Sequence, residues 1–180
     1  MTTSPRAMIL STGSEILQGL YPDTNATELS RQLGLLGFEV VGHRALPDQL
    51  DRIVDAIRAT FGACELVLST GGLGPTEDDL TRDAAAIAYG VRPRRVHRAV
   101  ELMRAIYARR GRVLAESSLR QADLPEGCRP LLNFWGTAPG FLIEPAPGRP
   151  ASTAFPGVPH EMREMTARYL PRRVVPLFPQ

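Results

Sequence analysis

The densest chemistry in the sequence lies in one run, Ser69-Thr70-Gly71-Gly72-Leu73-Gly74-Pro75-Thr76-Glu77-Asp78-Asp79. Glycines at 71, 72 and 74 let main-chain amides turn inward with no side chain in the way. A helix is expected to open at Thr76, directly after them. Inward amides at the positive end of a helix form an anion site suited to phosphate or pyrophosphate. The expected phosphate contacts are therefore Thr70, Gly71, Gly72, Leu73, Gly74 and Thr76. A plain strand-to-helix connection needs fewer special residues. The run is not G-x-G-x-x-G, and no Gly-Lys-Ser/Thr follows it, so neither the dinucleotide fingerprint nor the P-loop applies.

The acids that follow have two uses. Glu77, Asp78 and Asp79 in a first helical turn would complement the helix dipole, and Thr76 with Asp79 resembles a capping box. Beside a phosphate the same carboxylates would repel the ligand unless a divalent cation stood between them. Glu15, after the first apolar run, and Asp48, after the second, are expected at the same edge. Carboxylates and phosphate oxygens together suit a hard ion such as Mg²⁺, with Mn²⁺ or Co²⁺ as alternatives. Such an ion shields the phosphates, polarises phosphorus and orients water. In this reading Glu15, Asp48, Asp78 and Asp79 hold the ion and position water.

These residues need a scaffold, and the apolar pattern supplies one. Ala7–Leu10, Phe38–Val41, Leu66–Leu68 and Thr153–Phe155 read as strands. Helices are expected from Asp23 or Thr24 to Gly37, after Asp48, from Thr76 to Gly90, from about Arg94 to Arg110, and over His160–Tyr169. Gly140–Ile143 and the polar turn Pro145–Arg149 suggest a hairpin. Repeated strand-then-helix units imply an α/β fold, a mostly parallel sheet with helices on both faces. Ligands of such sheets sit beyond the carboxyl ends of the strands. That rule directs attention to 11–19, 44–48, 70–79 and 156–159, and so to Ser14, Gly157, Val158 and Pro159. Asp23 and Asn25 serve either as helix caps or as ligand contacts.

Composition narrows the classes. The 180 residues suit one domain, and 43% hydrophobic with 22% charged residues is ordinary for a globular chain. All 21 basic residues are arginine, so a phosphate-binding or Schiff-base lysine is excluded. A net charge of +2 without a strong basic cluster gives no expectation of nucleic-acid binding. No run of about 18 apolar residues or signal sequence is found, so a cytoplasmic protein with no membrane association is expected. Cys64 and Cys128 have no metal-ligand spacing, nor have His43, His97 and His160. Phe134 and Trp135 are read as core residues or as a stacking surface for a ring.

Five further motifs accompany the glycine run, in this order around it: Gly13-Ser-Glu15-Ile-Leu-Gln-Gly19, Asp23-Thr-Asn25, then Arg120-Gln-Ala122, Asn133-Phe-Trp-Gly-Thr-Ala-Pro-Gly-Phe141 and Pro156-Gly-Val-Pro-His-Glu-Met162. With them the chain resembles the amino-terminal domain of the CinA (competence/damage-inducible) family, part of the molybdopterin-binding superfamily of MoaB and MogA. The resemblance covers about residues 8–165. It departs from the family pattern at Ser14, where aspartate is usual, and at Ser118, where asparagine is usual. It implies a three-layer α/β/α sandwich and metal-dependent hydrolysis of ADP-ribose and related dinucleotides. It also implies that Asp48 and Asp79 lie at the centre of the chemistry, that the glycine run holds a nucleotide or pterin phosphate, and that copies of the chain self-associate as a homo-oligomer. The residues of the family's nicotinamide-nucleotide amidase domain are absent, so that activity is not expected, and residues 1–180 are read as a single domain. Two other functions stay open: a binding module without turnover, and an adenylyl-transfer enzyme acting on molybdopterin.

Overall fold

The computed structural model describes residues 4–178. In chain order its elements are β1 (Arg6–Thr12), the single turn α1 (Ser14–Leu17), α2 (Thr24–Leu35), β2 (Glu39–Leu46), α3 (Leu50–Arg58), β3 (Leu66–Thr70) and α4 (Thr81–Tyr89). There follow β4 (Pro93–Arg95), α5 (His97–Arg109), a 3₁₀ segment (Glu116–Ala122), β5 (Asp123–Pro125), β6 (Arg129–Leu131), β7 (Gly140–Ile143), β8 (Ala151–Phe155) and α6 (Pro159–Tyr169). The main sheet has the order β2-β1-β3-β8-β7-β6. Its first four strands are parallel, and β7 and β6 are antiparallel to their neighbours.

Two apolar layers hold the sheet. On one face, Ala26, Leu29 and Leu33 of α2 and Met162 and Met165 of α6 cluster with Ile9, Leu66, Leu68 and Phe155. On the other, Ile53, Val54 and Ile57 of α3 and Ala84, Ala85 and Ala88 of α4 cluster with Leu10, Val67 and Phe141. A fully buried leucine such as Leu29 or Leu68 contributes about 2 kcal/mol by leaving water. The chain leaving β1 thus turns toward one face and the chain leaving β3 toward the other. Divergence of adjacent loops at the carboxyl edge opens a crevice between them.

Three expected boundaries move. The second strand runs to Leu46 rather than ending at Val41, because all of β1 pairs with it. The register slips one residue past Val41, and Gly42 sits opposite Met8. Residues Pro93–Arg95 form β4, paired with β5, so α5 starts at His97 rather than near Arg94. The largest shift concerns the helix expected at Thr76, which begins at Thr81. Leu73 is 1% exposed and belongs to the core of the second face. Inserting that side chain folds the chain back, and Thr81 N donates to Gly72 O before the helix starts. Glu77, Asp78 and Asp79 therefore lie in a loop, outside the helical turn expected of them. Gly90 ends α4 as expected, in a left-handed conformation with φ 70°.

The turn before β8 is tied to α4. Buried Tyr89 donates its hydroxyl to Pro150 O at 2.8 Å, and Arg149 Nη1 donates to Tyr89 O at 2.7 Å. Burial also pushes the phenol pKa upward. Tyr89→Phe leaves that carbonyl without its partner, which costs about 1 kcal/mol. Thermal unfolding is expected to show a Tm lower by roughly 2–4 °C.

Candidate functional site

The carboxyl ends of β1, β2, β3 and β8 converge, and the tightest point is Gly71. Its φ is 92°, and a Cβ there would collide with the Thr12 carbonyl oxygen. A Cβ on Gly157, the second residue beyond β8, would lie 3.2 Å from Gly71 Cα. Three chain segments thus meet with no room for side chains. Around them opens a cleft of about 570 Å³, lined by Thr12, Gly13, Glu15, Asp48, residues 71–75, Asp78, Asp79, Gln121, Thr137, Ala138, residues 156–158 and Glu161.

Asp79 shapes the glycine loop. Its Oδ1 accepts from Gly74 N at 2.8 Å, and its Oδ2 accepts from Thr76 N at 2.8 Å and from Thr76 Oγ1. This is half of the expected capping box, without a helix to cap. The Gly74 and Thr76 amides are therefore already occupied by a carboxylate. The Gly72 and Leu73 amides make no hydrogen bond within the described residues, so both are available to an anion.

Two arginines hold the same loop by its carbonyls. Arg82, 2% exposed, donates Nη2 to Gly74 O at 3.1 Å, and its burial lowers the guanidinium pKa. Arg120 Nη1 donates to Thr76 O at 2.8 Å. A cation in the first turn of α4 opposes the helix dipole. A helix opening at Thr76 would have put Arg82 in its second turn, so the sequence carried no sign of this role, and only the start of α4 at Thr81 reveals it.

The remaining acids come from separate elements. Ser14 N donates to Asp48 Oδ2 at 2.8 Å, and Asp48 N donates to Ser14 Oγ at 3.2 Å. This reciprocal clasp ties the end of β1 to the end of β2 and fixes the Asp48 carboxylate. Glu15 lies over Gly13, where a Cβ would sit 2.6 Å from its Oε1. Glu161 accepts from Asn133 Nδ2 at 2.6 Å. Asn133 is 1% exposed and also accepts from the Trp135 and Gly136 amides, which sets the turn that carries Thr137 and Ala138.

Of the residues singled out from sequence, Glu15, Asp48, Gly71, Gly72, Leu73, Gly74, Asp78, Asp79, Gly157 and Val158 share this cleft. Thr70 does not line it. Its Oγ1 is buried, donating to Pro156 O and accepting from Asn25 Nδ2. Thr76 is engaged by Asp79. Asn25 also donates to Gly157 O at 2.8 Å, and Asp23 caps α2 through Ala26 N while lying 2.9 Å from His43 Nε2. Asp23, Asn25 and Pro159 line an adjoining hollow of about 360 Å³ that shares Glu15 and Gly157 with the main cleft. Phe134 is partly exposed beneath the Arg168 guanidinium, and Trp135 packs against the core.

Glu161, Gln121, Thr137 and Arg82 were not anticipated as site residues. The first three lie inside the motifs above, yet they sit on three separate elements, the turn around Asn133, the 3₁₀ segment and α6, and only the tertiary fold brings them to one cleft. Among the described residues, no three His, Cys, Asp or Glu side chains are grouped closely enough to hold a metal ion by themselves. No helix among them is long and apolar enough to cross a membrane.

Comparison with known proteins agrees with this architecture. The family described as "Probable molybdopterin binding domain" matches residues 8–174. A CinA-like protein of Frankia casuarinae is 42% identical over 172 residues, 92% of this chain and 39% of that protein. A protein of Aeropyrum pernix is 42% identical over 171 residues, covering 94% of this chain and 63% of its own length. The chain thus spans less than two thirds of either relative. The crystal structure of CinA from Thermoplasma acidophilum, whose function is given as unknown, superposes with TM-score 0.84 at 33% identity, covering 93% of this chain and 96% of that one. The molybdopterin biosynthesis enzyme MoaB of Thermus thermophilus shares the fold, at TM-score 0.61 and 24% identity. With its cleft at the carboxyl edge of this sheet, the chain belongs to the CinA family and to the molybdopterin-binding-domain family whose model it matches.

Proposed function

We propose that the chain hydrolyses the pyrophosphate bond of nucleotides such as ADP-ribose with the help of a divalent cation. One observation carries this reading. The cleft presents loop amides able to hold an anion, yet among the described residues it is lined by five carboxylates, Glu15, Asp48, Asp78, Asp79 and Glu161, and by no cationic side chain. Nearby Arg82 and Arg120 are turned onto loop carbonyls. A phosphoanhydride entering alone would meet net repulsion, whereas a phosphate–cation complex fits.

The donor set suits a hard ion, since every charged group is a carboxylate. With no group of three acids preassembled, one or two carboxylates would hold the ion, and phosphate oxygens and water would complete its shell, the usual pattern for Mg²⁺. Glu15 and Asp78 have side chains uncommitted within the described residues and are the proposed ligands. Asp79 has most of its acceptor capacity taken by the loop and acts chiefly by shaping it. Bound there, the ion supplies Lewis-acid polarisation of the phosphoryl group and neutralises its charge. The Gly72 and Leu73 amides orient the phosphate. Asp48, held through Oδ2 by the Ser14 amide, keeps Oδ1 to take the proton of the attacking water. The adjoining hollow, with Ile16, Tyr21 and Pro22 beside Asp23, offers room for a sugar or base.

Incubation with ADP-ribose and Mg²⁺, Mn²⁺ or Co²⁺ is expected to release AMP and ribose 5-phosphate. Excess chelator should stop the release and added metal restore it. Folded protein that yields no AMP with any of these ions would sink the proposal. A second reading, binding of a nucleotide or pterin phosphate without turnover, is favoured by the lack of a preassembled metal cluster. Calorimetric affinity without product would select it, and ATP-dependent adenylylation of molybdopterin would select transfer instead.

A further inference from the structure

Gln121 carries the one side-chain N–H group among the described residues lining the cleft. The other polar side chains there are carboxylates and hydroxyls. It is 1% exposed, and Thr137 Oγ1 donates to its Oε1 at 2.9 Å. That bond leaves Nε2, also buried, without a hydrogen-bond partner. An unsatisfied buried donor lowers the stability of the free protein, and folded proteins keep few of them. An amide nitrogen offers no lone pair to a hard cation, so its complement is an acceptor atom.

We infer that Gln121 Nε2 donates to a phosphate oxygen of the bound pyrophosphate, and that Thr137 positions the amide for it. The identity of the ligand rests on the reading above, while the assignment of the donor rests on the geometry alone. The motif Arg120-Gln-Ala122 then has two tasks at one place: Arg120 holds the glycine loop by Thr76 O, and Gln121 faces what the loop binds.

The test measures binding of inorganic pyrophosphate with Mg²⁺ by calorimetry, together with thermal unfolding, for the whole chain and three variants. Gln121→Met keeps the volume and deletes the orphan donor. It also removes the acceptor of the half-buried Thr137 hydroxyl, which offsets the relief of the orphan donor, so it is expected to unfold near the wild-type temperature while its Kd rises roughly tenfold, the effect of one hydrogen bond to a charged acceptor. Gln121→Glu, an acceptor in place of a donor, should weaken binding further, and Thr137→Val by a smaller factor. A Gln121→Met protein that unfolds well below wild type would make the amide structural and overturn the inference. Unchanged affinity in the Met or Glu variant would overturn it equally, as would wild-type protein that binds no pyrophosphate. Gln121-dependent binding without AMP release from ADP-ribose would uphold the inference and remove only the hydrolytic reading.

Discussion

Asp79→Ala is expected to lower kcat/KM for ADP-ribose by about three orders of magnitude, comparable to removing a preorganised group that holds the reacting centre. The same change should also lower Tm. Asp79 accepts from the Gly74 and Thr76 amides and the Thr76 hydroxyl, and deleting it removes all three bonds, strands the part-buried Gly74 amide and leaves the exposed Thr76 amide to water. That loss is worth about 2–3 kcal/mol, or roughly 5–10 °C for a chain of this size. Asp79→Asn is no conservative control, because its NH₂ group would face an N–H donor where an oxygen now accepts. The useful contrast is Asp78→Ala. Asp78 is exposed, so as a metal ligand it should lose turnover with Tm unchanged. An Asp79→Ala protein with wild-type Tm and turnover would show that the carboxylate does not organise the loop.

Gly71→Ala should be strongly destabilising. A left-handed conformation costs a non-glycine residue about 1–2 kcal/mol, and overpacking a tight site adds about 1–3 kcal/mol. At Gly71 both apply, since φ is 92° and the new Cβ would strike the Thr12 carbonyl. The collision falls between β1 and β3, where no flexible side chain can yield. A Tm lower by about 4 °C or more, or insoluble protein, is expected, along with loss of pyrophosphate binding. Gly19→Ala is the matched control. Its φ of 71° is comparable, but nothing lies within 4 Å of the added Cβ. Only the backbone cost should appear there, about 1–2 kcal/mol. Equal losses at the two glycines would disprove the convergence of strands at Gly71.

The family and its sheet were legible in the sequence because they rest on local signals. Apolar runs of strand length alternate with helical stripes, and short connections between them force a parallel sheet with two covered faces. Ends marked by glycine chemistry, such as Gly90, were also legible. The rule that ligands lie beyond the strands then brought Glu15, Asp48 and the glycine run to one edge, and the cleft gathers them. The hairpin between β7 and β8 followed from its polar turn in the same way.

What the sequence left open depended on contacts between distant residues. Thr76 had a good local reason to start a helix, but Leu73 gains more by entering the core, and the chain must fold back before α4 can begin. Asp79 looked like a helix cap or a free ligand until the loop closed around it. Gln121, Thr137 and Glu161 come to the cleft from three separate elements, the 3₁₀ segment, the turn set by Asn133 and α6, joined there by side-chain hydrogen bonds. Local pattern therefore determined the elements, their order and the edge at which chemistry can occur. Tertiary structure alone decided which polar groups are spent on one another and which remain for a ligand, because a hydrogen bond made inside the protein removes an acceptor or donor that no sequence spacing records.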